Sequence, residues 1–261
     1  MSRKDLIKFS NATYNNYRYH LRTFRILEIF RHSISYLYFN ETCIKMNNEL
    51  QELASQLRQP TGEKGIMIGN MMDTTNIKMS EHSIDNLQLQ NNLSILELGH
   101  GKCGHLKYLI DKAGNLTYYG LEISELMHQE ARKQNLELVS NKQATYSLFD
   151  GNNIPFQDET FNRIFTVNTI YFWSDPSAYI KEIYRVLSGN GILNITFAHK
   201  DFMLQLPFTQ FGFTLHNVEE VIQLINSSPF SKTKINTDSE MIPNKLGELV
   251  NRTFSTISCY K

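Results

Sequence analysis

The sequence is poor in cysteine, in net charge and in long apolar runs, and each shortage limits what the protein can be. Its three cysteines lie far apart and form no C-x-x-C pair, which gives no signal for a zinc site and suits a reducing cytoplasm. No apolar run approaches the roughly 20 residues that span a membrane. Arginines interrupt the first apolar stretch, so a signal peptide is not expected. We therefore expect a cytoplasmic protein without a membrane span.

The absence of net charge conceals an uneven distribution along the chain. Residues 1–45 contain eight Lys and Arg against three Asp and Glu, a net charge of +5, and residues 46–261 contain 18 against 23, a net charge of −5. The larger part of the chain therefore has no basic footprint for nucleic acid, and no nucleic-acid partner is expected. With 261 residues, of which 41% are apolar, the chain is long enough for one α/β domain and an extension.

We expect a helical extension over residues 1–65 and the main domain over residues 66–261. Apolar residues recur every three or four positions between Leu21 and Leu37, which predicts an amphipathic helix whose other face is basic. A helix of this kind over residues 19–39 could rest on a membrane surface, dock a partner or pack on its own domain. Because Met46 begins an ordinary soluble sequence, residues 1–45 could also be a segment that is not normally translated.

From Leu93 onward, strand and helix patterns alternate, which is typical of a parallel sheet covered by helices on both faces. Five strands are predicted, over residues 94–98, 117–121, 144–149, 163–167 and 192–197, and two β-rich runs follow at 230–236 and 251–260. The predicted helices run from Cys103 to Ala113, from the cap Ser124 to Asn135, from the cap Asp175 to Leu187 and from Val218 to Ile225.

The first of these strands ends in a glycine-rich loop, ELGHGKCG (residues 97–104). Gly99 and Gly101 permit positive φ and a close approach of a ligand, and the N-terminus of the following helix attracts an anion. The pyrophosphate of a dinucleotide and the carboxylate of S-adenosylmethionine both fit this description. Glu122, about 20 residues after the loop, suits the ribose hydroxyls of either ligand.

Two observations favour S-adenosylmethionine over a nicotinamide dinucleotide. Glu97 places a carboxylate beside the loop, where it attracts an ammonium or sulfonium group but repels a pyrophosphate. The Tyr-x-x-x-Lys pair of short-chain dehydrogenases occurs only as Tyr108 and Lys112, directly after the loop, whereas those enzymes carry it well downstream. A nicotinamide oxidoreductase is therefore the third-ranked interpretation.

Two later stretches, FDGNNIPFQDETFNRIF (residues 149–165) and EIYRVLSGNG (residues 182–191), complete a motif series with the loop. In order and spacing, residues 95–198 resemble the type 11 family of class I S-adenosylmethionine-dependent methyltransferases. The resemblance implies an α/β fold with a Rossmann-like seven-stranded, mostly parallel sheet, helices on both faces and an antiparallel last strand. It also implies S-adenosyl-L-methionine as the cofactor, with these binding residues: Glu97, Gly99, Gly101, Glu122, Ile123, Asp150, Gly151 and Asn168.

The resemblance also implies a role for most of these residues. It assigns Glu97 and the two loop glycines to the methionine moiety, Glu122 to the ribose, Asp150 and Gly151 to the adenine, and Asn168 to the methyl group or the substrate.

Cys103 departs from the family pattern because it replaces the third glycine of the loop. Its side chain is expected near the tail of the cofactor. His100, Cys103 and His105 are close enough in sequence to suggest a metal site. No fourth ligand is evident, and the loop would have to turn all three inward, so no metal is expected.

The run NTIYFW (residues 168–173) follows the fourth strand, and its aromatic residues could form a wall for a small substrate or pack in the core. Asn168 and Tyr171 match the outer positions of the Asn-Pro-Pro-Tyr motif of amino-methyltransferases. The two prolines are missing and the domain has no basic surface, so nucleic-acid methylation is disfavoured. Tyr171 and His199 are weak candidates for a general base, which an in-line displacement on a sulfonium does not require.

These observations predict an enzyme that moves a methyl group from S-adenosyl-L-methionine to a small-molecule acceptor. The rival interpretation is a protein that binds S-adenosylmethionine or another adenosine ligand without catalysis. The aromatic run and the insert over residues 200–217 favour the enzyme because together they could build a substrate pocket. The acceptor is not predicted, because one fold hosts many unrelated reactions.

Overall fold

The computed structural model describes residues 44–243 and 248–261, so the amphipathic helix expected over residues 19–39 lies outside the described residues. The chain is helical over residues 44–58 (α1), and a longer helix, α2, spans Gly62–Asp85. The described residues from Gln51 onward form one compact unit. The expected domain boundary between residues 65 and 66 falls inside α2. Within the described ranges, no helix is long and apolar enough to cross a membrane.

Seven strands of the described chain form one sheet. They span Ser94–Leu98 (β1), Thr117–Glu122 (β2), Ala144–Leu148 (β3), Phe161–Val167 (β4), Leu187–Ala198 (β5), Lys232–Pro243 (β6) and Leu249–Tyr260 (β7). Their order is β3-β2-β1-β4-β5-β7-β6. β7 is antiparallel to both of its neighbours, and the other six strands run in one direction. The predicted Rossmann-like fold class, with its antiparallel last strand, is confirmed.

Helices connect the strands, and their starts follow the capping residues. The bounds are Leu106–Ile110 (α3), Glu125–Gln134 (α4), Leu136–Ser140 (α5), Pro176–Val186 (α6), Lys200–Met203 (α7) and Val218–Asn226 (α8). The side chains of Ser124 and Asp175 accept hydrogen bonds from the first turns of α4 and α6, as predicted. Asn217 forms a capping box with Glu220 at the start of α8.

Two elements differ from the sequence prediction for local reasons. α3 begins three residues later than expected, because the chain turns before it and Cys103 has a φ of 59°. β5 begins at Leu187 rather than at residue 192, because the glycine-containing segment after Leu187 is accommodated as an irregularity in the pairing with β4.

The sheet brings the candidate functional loops together. Apolar residues of its central strands are fully buried, among them Leu96, Ile164 and Leu193. Because β1, β2 and β4 are adjacent and parallel, the loops that follow them emerge at the same edge of the sheet, which is where open α/β sheets bind ligands.

Candidate active site

A cavity of about 440 Å³ lies at the carboxyl-terminal ends of β1, β2 and β4, a volume typical of small-molecule sites. The structure brings all eight predicted cofactor-binding residues into its wall: Glu97, Gly99, Gly101, Glu122, Ile123, Asp150, Gly151 and Asn168. The two candidate bases, Tyr171 and His199, do not line it. The roles of these ten residues remain predictions.

Gly99 and Gly101 both have a positive φ, which favours glycine, and Gly99 also has no room for a side chain. Gly99 has a φ of 75°, and a Cβ atom there would lie 2.5 Å from Cγ2 of Thr169. Gly101 has a φ of 55°, and a Cβ atom there would meet nothing within 4 Å. The Gly99 N–H donates to the Leu121 carbonyl at 2.8 Å. The loop is therefore held against β2 and leaves space above Gly101.

The carboxylate of Glu97 is buried, with 2% exposure, and two side chains donate to the same oxygen. The Tyr118 hydroxyl lies 2.5 Å and His105 Nε2 lies 2.9 Å from Glu97 Oε2. No described residue donates to Oε1, and Glu97 lines the cavity. Oε2 of Glu97 is thus held by Tyr118 and His105, and Oε1 remains free to bind a cation in the cavity.

Glu97 and His105 form a buried ion pair. Burial by itself raises the pKa of the Glu97 carboxyl, but the charge of His105 and the hydrogen bonds from His105 and Tyr118 outweigh it and lower that pKa. Burial by itself lowers the pKa of His105, but the Glu97 carboxylate and the neighbouring Cys103 raise it well above its usual value. Both groups are therefore charged near neutral pH.

Cys103 points away from the cavity. Its side chain is 1% exposed, and its Sγ lies 3.2 Å from the Tyr118 hydroxyl and 3.8 Å from Glu97 Oε2. The expectation that this side chain lies near the cofactor tail stays a prediction, since Cys103 does not line the cavity but packs against Glu97, which does. Glu97, Cys103 and His105 have the proximity of metal ligands. Their shortest contact is an N–H···O hydrogen bond between His105 and Glu97.

Glu122 is buried in a different way, because backbone amides hold its carboxylate. Its Oε2 accepts from the Gly101 N–H at 2.9 Å, and its Oε1 accepts from the N–H groups of Ile123 and Ser124 at 2.8 and 3.0 Å. A carboxylate oxygen accepts more than one hydrogen bond, so capacity remains for ligand hydroxyls. This residue also ties the glycine loop to the end of β2.

Asp150 uses its carboxylate to shape its own loop. Its Oδ1 accepts from the backbone N–H groups of Asn152 and Asn153 at 2.8 and 2.7 Å, and its Oδ2 accepts from Asn153 Nδ2 at 2.6 Å. These hydrogen bonds lower the pKa of Asp150. The next residue, Gly151, has a φ of 84° and also lines the cavity.

Asn168 connects the end of β4 to β5 and α2. Its Oδ1 accepts from the Ala198 N–H at 3.3 Å and lies 3.2 Å from the Tyr171 hydroxyl oxygen, and its Nδ2 donates to Asn76 Oδ1 at 3.2 Å. Its φ of 58° is a left-handed conformation that asparagine tolerates. The amide is therefore fully oriented before any ligand binds.

The two candidate bases lie outside the cavity wall and have other partners. The Tyr171 hydroxyl donates its single proton to the nearer acceptor, the Ala198 carbonyl at 2.9 Å, and burial raises the pKa of Tyr171. His199 Nε2 lies 2.8 Å from Ser255 Oγ, and burial lowers the pKa of His199. Both residues support the strand ends next to Asn168.

The aromatic residues of the run 168–173 divide between the hydrophobic core and the cavity wall. Tyr171 is 2% exposed and packs in the core, whereas Phe172 and Trp173 line the cavity together with Tyr179. Trp173 donates from Nε1 to Thr169 Oγ1 at 3.1 Å. An aromatic wall therefore stands at the end of the cavity next to Asn168.

Helix α2 supplies cavity residues that were not predicted. Gly69, Asp73, Asn76 and Ser80 recur at about one-turn spacing and line the cavity, and Asp73 Oδ1 accepts from the Gly104 N–H at 2.9 Å. The sequence carried a signal for this face, since these four small or polar residues share one side of a helix.

Residues 96–195 match a family model described as a methyltransferase domain. “Putative methyltransferase YrhH” of Bacillus subtilis is 30% identical over 115 residues, which cover 44% of this chain and 63% of the relative. The 2-methyl-6-phytyl-1,4-hydroquinone methyltransferase 2 of Oryza sativa subsp. japonica is 32% identical over 87 residues, 33% of this chain and 25% of that protein. The chain thus matches less than two thirds of the length of either relative.

A solved structure from Thermotoga maritima, “SAM-dependent methyltransferase, possible histamine N-methyltransferase”, has the same fold. Its TM-score is 0.56 at 19% identity, and the match covers 76% of this chain and 97% of that chain. The glycine loop, the later motifs, the family match and the sheet order all agree. Residues 96–195 therefore match the methyltransferase-domain family, and the sheet has the fold of the solved S-adenosylmethionine-dependent methyltransferase.

Proposed function

We propose that this protein transfers a methyl group from S-adenosyl-L-methionine to a small-molecule acceptor by in-line displacement. One observation carries the proposal: a single cavity contains a carboxylate at the end of each of two adjacent strands, a glycine loop between them and an oriented amide at the end of a third. That arrangement offers one partner for each polar part of the cofactor and leaves an aromatic end for an acceptor.

The residues present fit the cofactor part by part. The free Oε1 of Glu97 suits the ammonium of the methionine moiety, and Glu122 suits the ribose hydroxyls. Ile123 and Phe149 line the cavity with apolar surface, which suits an adenine next to Gly151. The open space above Gly101 leaves room for the ligand at the loop.

When bound, S-adenosyl-L-methionine supplies an electrophilic methyl group on a good leaving group. The chain then has to align the acceptor and exclude water, which alone lowers the barrier by several kcal/mol, about 7–11 kcal/mol at best. Asn168, fixed by β5 and α2, borders the place where the two substrates meet. Phe172 and Trp173 close that end with apolar surface.

The small-molecule acceptor belongs to the proposal, as does a cytoplasmic location. The aromatic wall and the carboxylates that line the cavity favour a compact acceptor over the polyanionic backbone of nucleic acid. The relative from Oryza sativa is named for a substituted hydroquinone, which is a small molecule with an aromatic ring.

Calorimetry with S-adenosylhomocysteine tests the cofactor, and incubation of the pure protein with labelled S-adenosyl-L-methionine and a cell extract tests transfer. We expect binding and a labelled small-molecule product in the mass spectrum. Binding without any product would favour the non-catalytic rival. Binding of NADH in a fluorescence titration, with none of S-adenosylhomocysteine, would overturn the assignment of the cofactor.

A further inference from the structure

Arg252 on β7 reaches the acceptor end of the cavity through a partner on α2. Its guanidinium forms a buried ion pair with Glu240, at 2.7 Å between Nη2 and Oε1, with the side chains 6% and 11% exposed. It also donates from Nη2 to the Thr75 carbonyl and from Nη1 to Asn76 Oδ1 at 3.1 Å. The last strand of the sheet therefore contacts the cavity wall through Asn76.

These contacts determine which way the amide of Asn76 faces. A guanidinium only donates, so the atom of Asn76 that faces Arg252 has to be its oxygen. The same oxygen accepts from Asn168 Nδ2 at 3.2 Å. Asn168 is oriented independently, because the Ala198 N–H can only donate and therefore faces Oδ1 of Asn168.

The nitrogen of Asn76 is left as the free group of this network. Asn76 lines the cavity, and among the described residues no acceptor is bonded to its Nδ2. The Asn168 amide and the Arg252 guanidinium both donate to Oδ1 of Asn76, so this side chain cannot flip without turning its own donor toward them. The acceptor end of the cavity thus presents a fixed hydrogen-bond donor.

We infer that Asn76 selects an acceptor that carries a hydrogen-bond-accepting oxygen at or next to the methylated atom, with Arg252 as the residue that positions Asn76. This inference rests on the proposed function. An oxygen nucleophile uses one lone pair to form the new O–CH3 bond as the S–CH3 bond breaks and S-adenosylhomocysteine leaves, its hydroxyl proton passes to water, and another lone pair accepts from Asn76 Nδ2. A phenolate oxygen can equally accept from Asn76 while a ring carbon forms the new C–CH3 bond, the S–CH3 bond breaks and the ring proton passes to water. An amine nitrogen has a single lone pair, which the reaction consumes.

Asn76→Asp tests the donor with little disturbance of the fold. The new carboxylate keeps an oxygen for Arg252 and for Asn168 but replaces the free amide NH2 donor with an acceptor oxygen. Asn70→Asp is the matched control, because it makes the same charge change on α2 at an exposed position that does not line the cavity. The probes are catechol and 1,4-benzoquinol, each compared with o-phenylenediamine and aniline, and any acceptor found in the extract.

We expect transfer to the oxygen acceptors only, a fall of about 30-fold in their kcat/KM in Asn76→Asp, and an affinity for S-adenosylhomocysteine within about twofold of the original. Asn70→Asp should behave like the unchanged protein. Transfer to the amines, or full activity in Asn76→Asp, would overturn the inference. Binding of S-adenosylhomocysteine with no product from any probe or extract would instead defeat the proposed function, and the inference with it.

A second pair of variants tests the positioning role of Arg252. We expect Arg252→Met to lower kcat for the oxygen acceptors by about tenfold, at unchanged affinity for S-adenosylhomocysteine, because Asn76 is then free to flip. Arg252→Lys keeps a donor and should recover part of that loss. Equal loss in both variants together with weakened S-adenosylhomocysteine binding would show a merely structural role and contradict the assignment of Arg252.

Discussion

Glu97 and Glu122 lie at the ends of neighbouring parallel strands, face one cavity and are both nearly inaccessible to solvent, yet they are held differently. Glu122 accepts from three backbone N–H groups, which belong to its own turn and to the glycine loop. Glu97 accepts from the side chains of Tyr118 and His105, which come from β2 and from the start of α3.

The difference separates a local site from a non-local one. The environment of Glu122 follows from the backbone of a strand-to-helix turn, so a carboxylate in that place is satisfied without specific neighbours. The environment of Glu97 depends on two other side chains, one of them charged. Replacing Glu122 should therefore affect mainly ligand binding, whereas replacing Glu97 should also lower the stability of the fold.

Glu97→Ala is expected to give the largest effect, on stability. It leaves the His105 imidazolium buried without its counter-ion, which costs about 3–5 kcal/mol. For a chain of this size each 1 kcal/mol shifts the midpoint of thermal unfolding by about 2–4 °C, so we expect a fall of roughly 10 °C. The double variant Glu97→Gln/His105→Gln should recover part of it. A midpoint for Glu97→Ala within a degree or two of the original would remove the contrast between the two sites.

Glu122→Ala is expected to act mainly on the cofactor. Loss of two charge-assisted hydrogen bonds to the ribose should weaken binding of S-adenosylhomocysteine by about 100-fold in calorimetry. Glu125→Ala, three residues later in the chain and exposed, is the matched control. His199→Ala should change affinity by no more than about twofold, because His199 does not line the cavity. Unchanged affinity in Glu122→Ala would contradict the assignment of the ribose site.

Two buried tyrosines, Tyr118 and Tyr146, separate the contribution of the hydrogen bond to Glu97 from that of packing. The Tyr118 hydroxyl donates to Glu97, whereas the Tyr146 hydroxyl has no hydrogen-bond partner in the described structure. We expect Tyr118→Phe to lower the free energy of unfolding by about 1–2 kcal/mol, and Tyr146→Phe to change it by less than about 0.5 kcal/mol. Denaturant unfolding measures both. Equal losses would show that packing, rather than the hydrogen bond to Glu97, determines the cost.

The buried pair of His105 and Glu97 should also make stability depend on pH, and we expect this to be the smallest of these effects. The pKa of His105 is raised in the folded protein, so its contribution is complete below the unfolded value of about 6.5 and is lost as the pH rises through the folded pKa. We expect the midpoint of unfolding of the unchanged protein to fall more steeply from pH 7 to pH 10 than that of His105→Asn. Parallel curves would show that His105 does not carry the charge assigned to it.

The sheet and the glycine loop could be predicted because their signals are local. Ser124 and Asp175 cap their helices where the sequence placed them, and Gly99 and Gly101 lie in the loop with positive φ. The His105–Glu97 pair and the Arg252–Asn76 contact could not be predicted, because each joins residues that only the folded sheet brings together. The inward turn of Cys103 depends on a single backbone angle, which the residue type does not favour.

The position of β7 has a consequence for synthesis on the ribosome. This strand pairs with β5 on one side and β6 on the other, although it is made after every other strand of the sheet. Until it emerges, β5 has an open edge and Asn76 lacks the guanidinium that orients it. A nascent chain therefore cannot orient Asn76 through Arg252 until this last strand has left the ribosome and paired with β5.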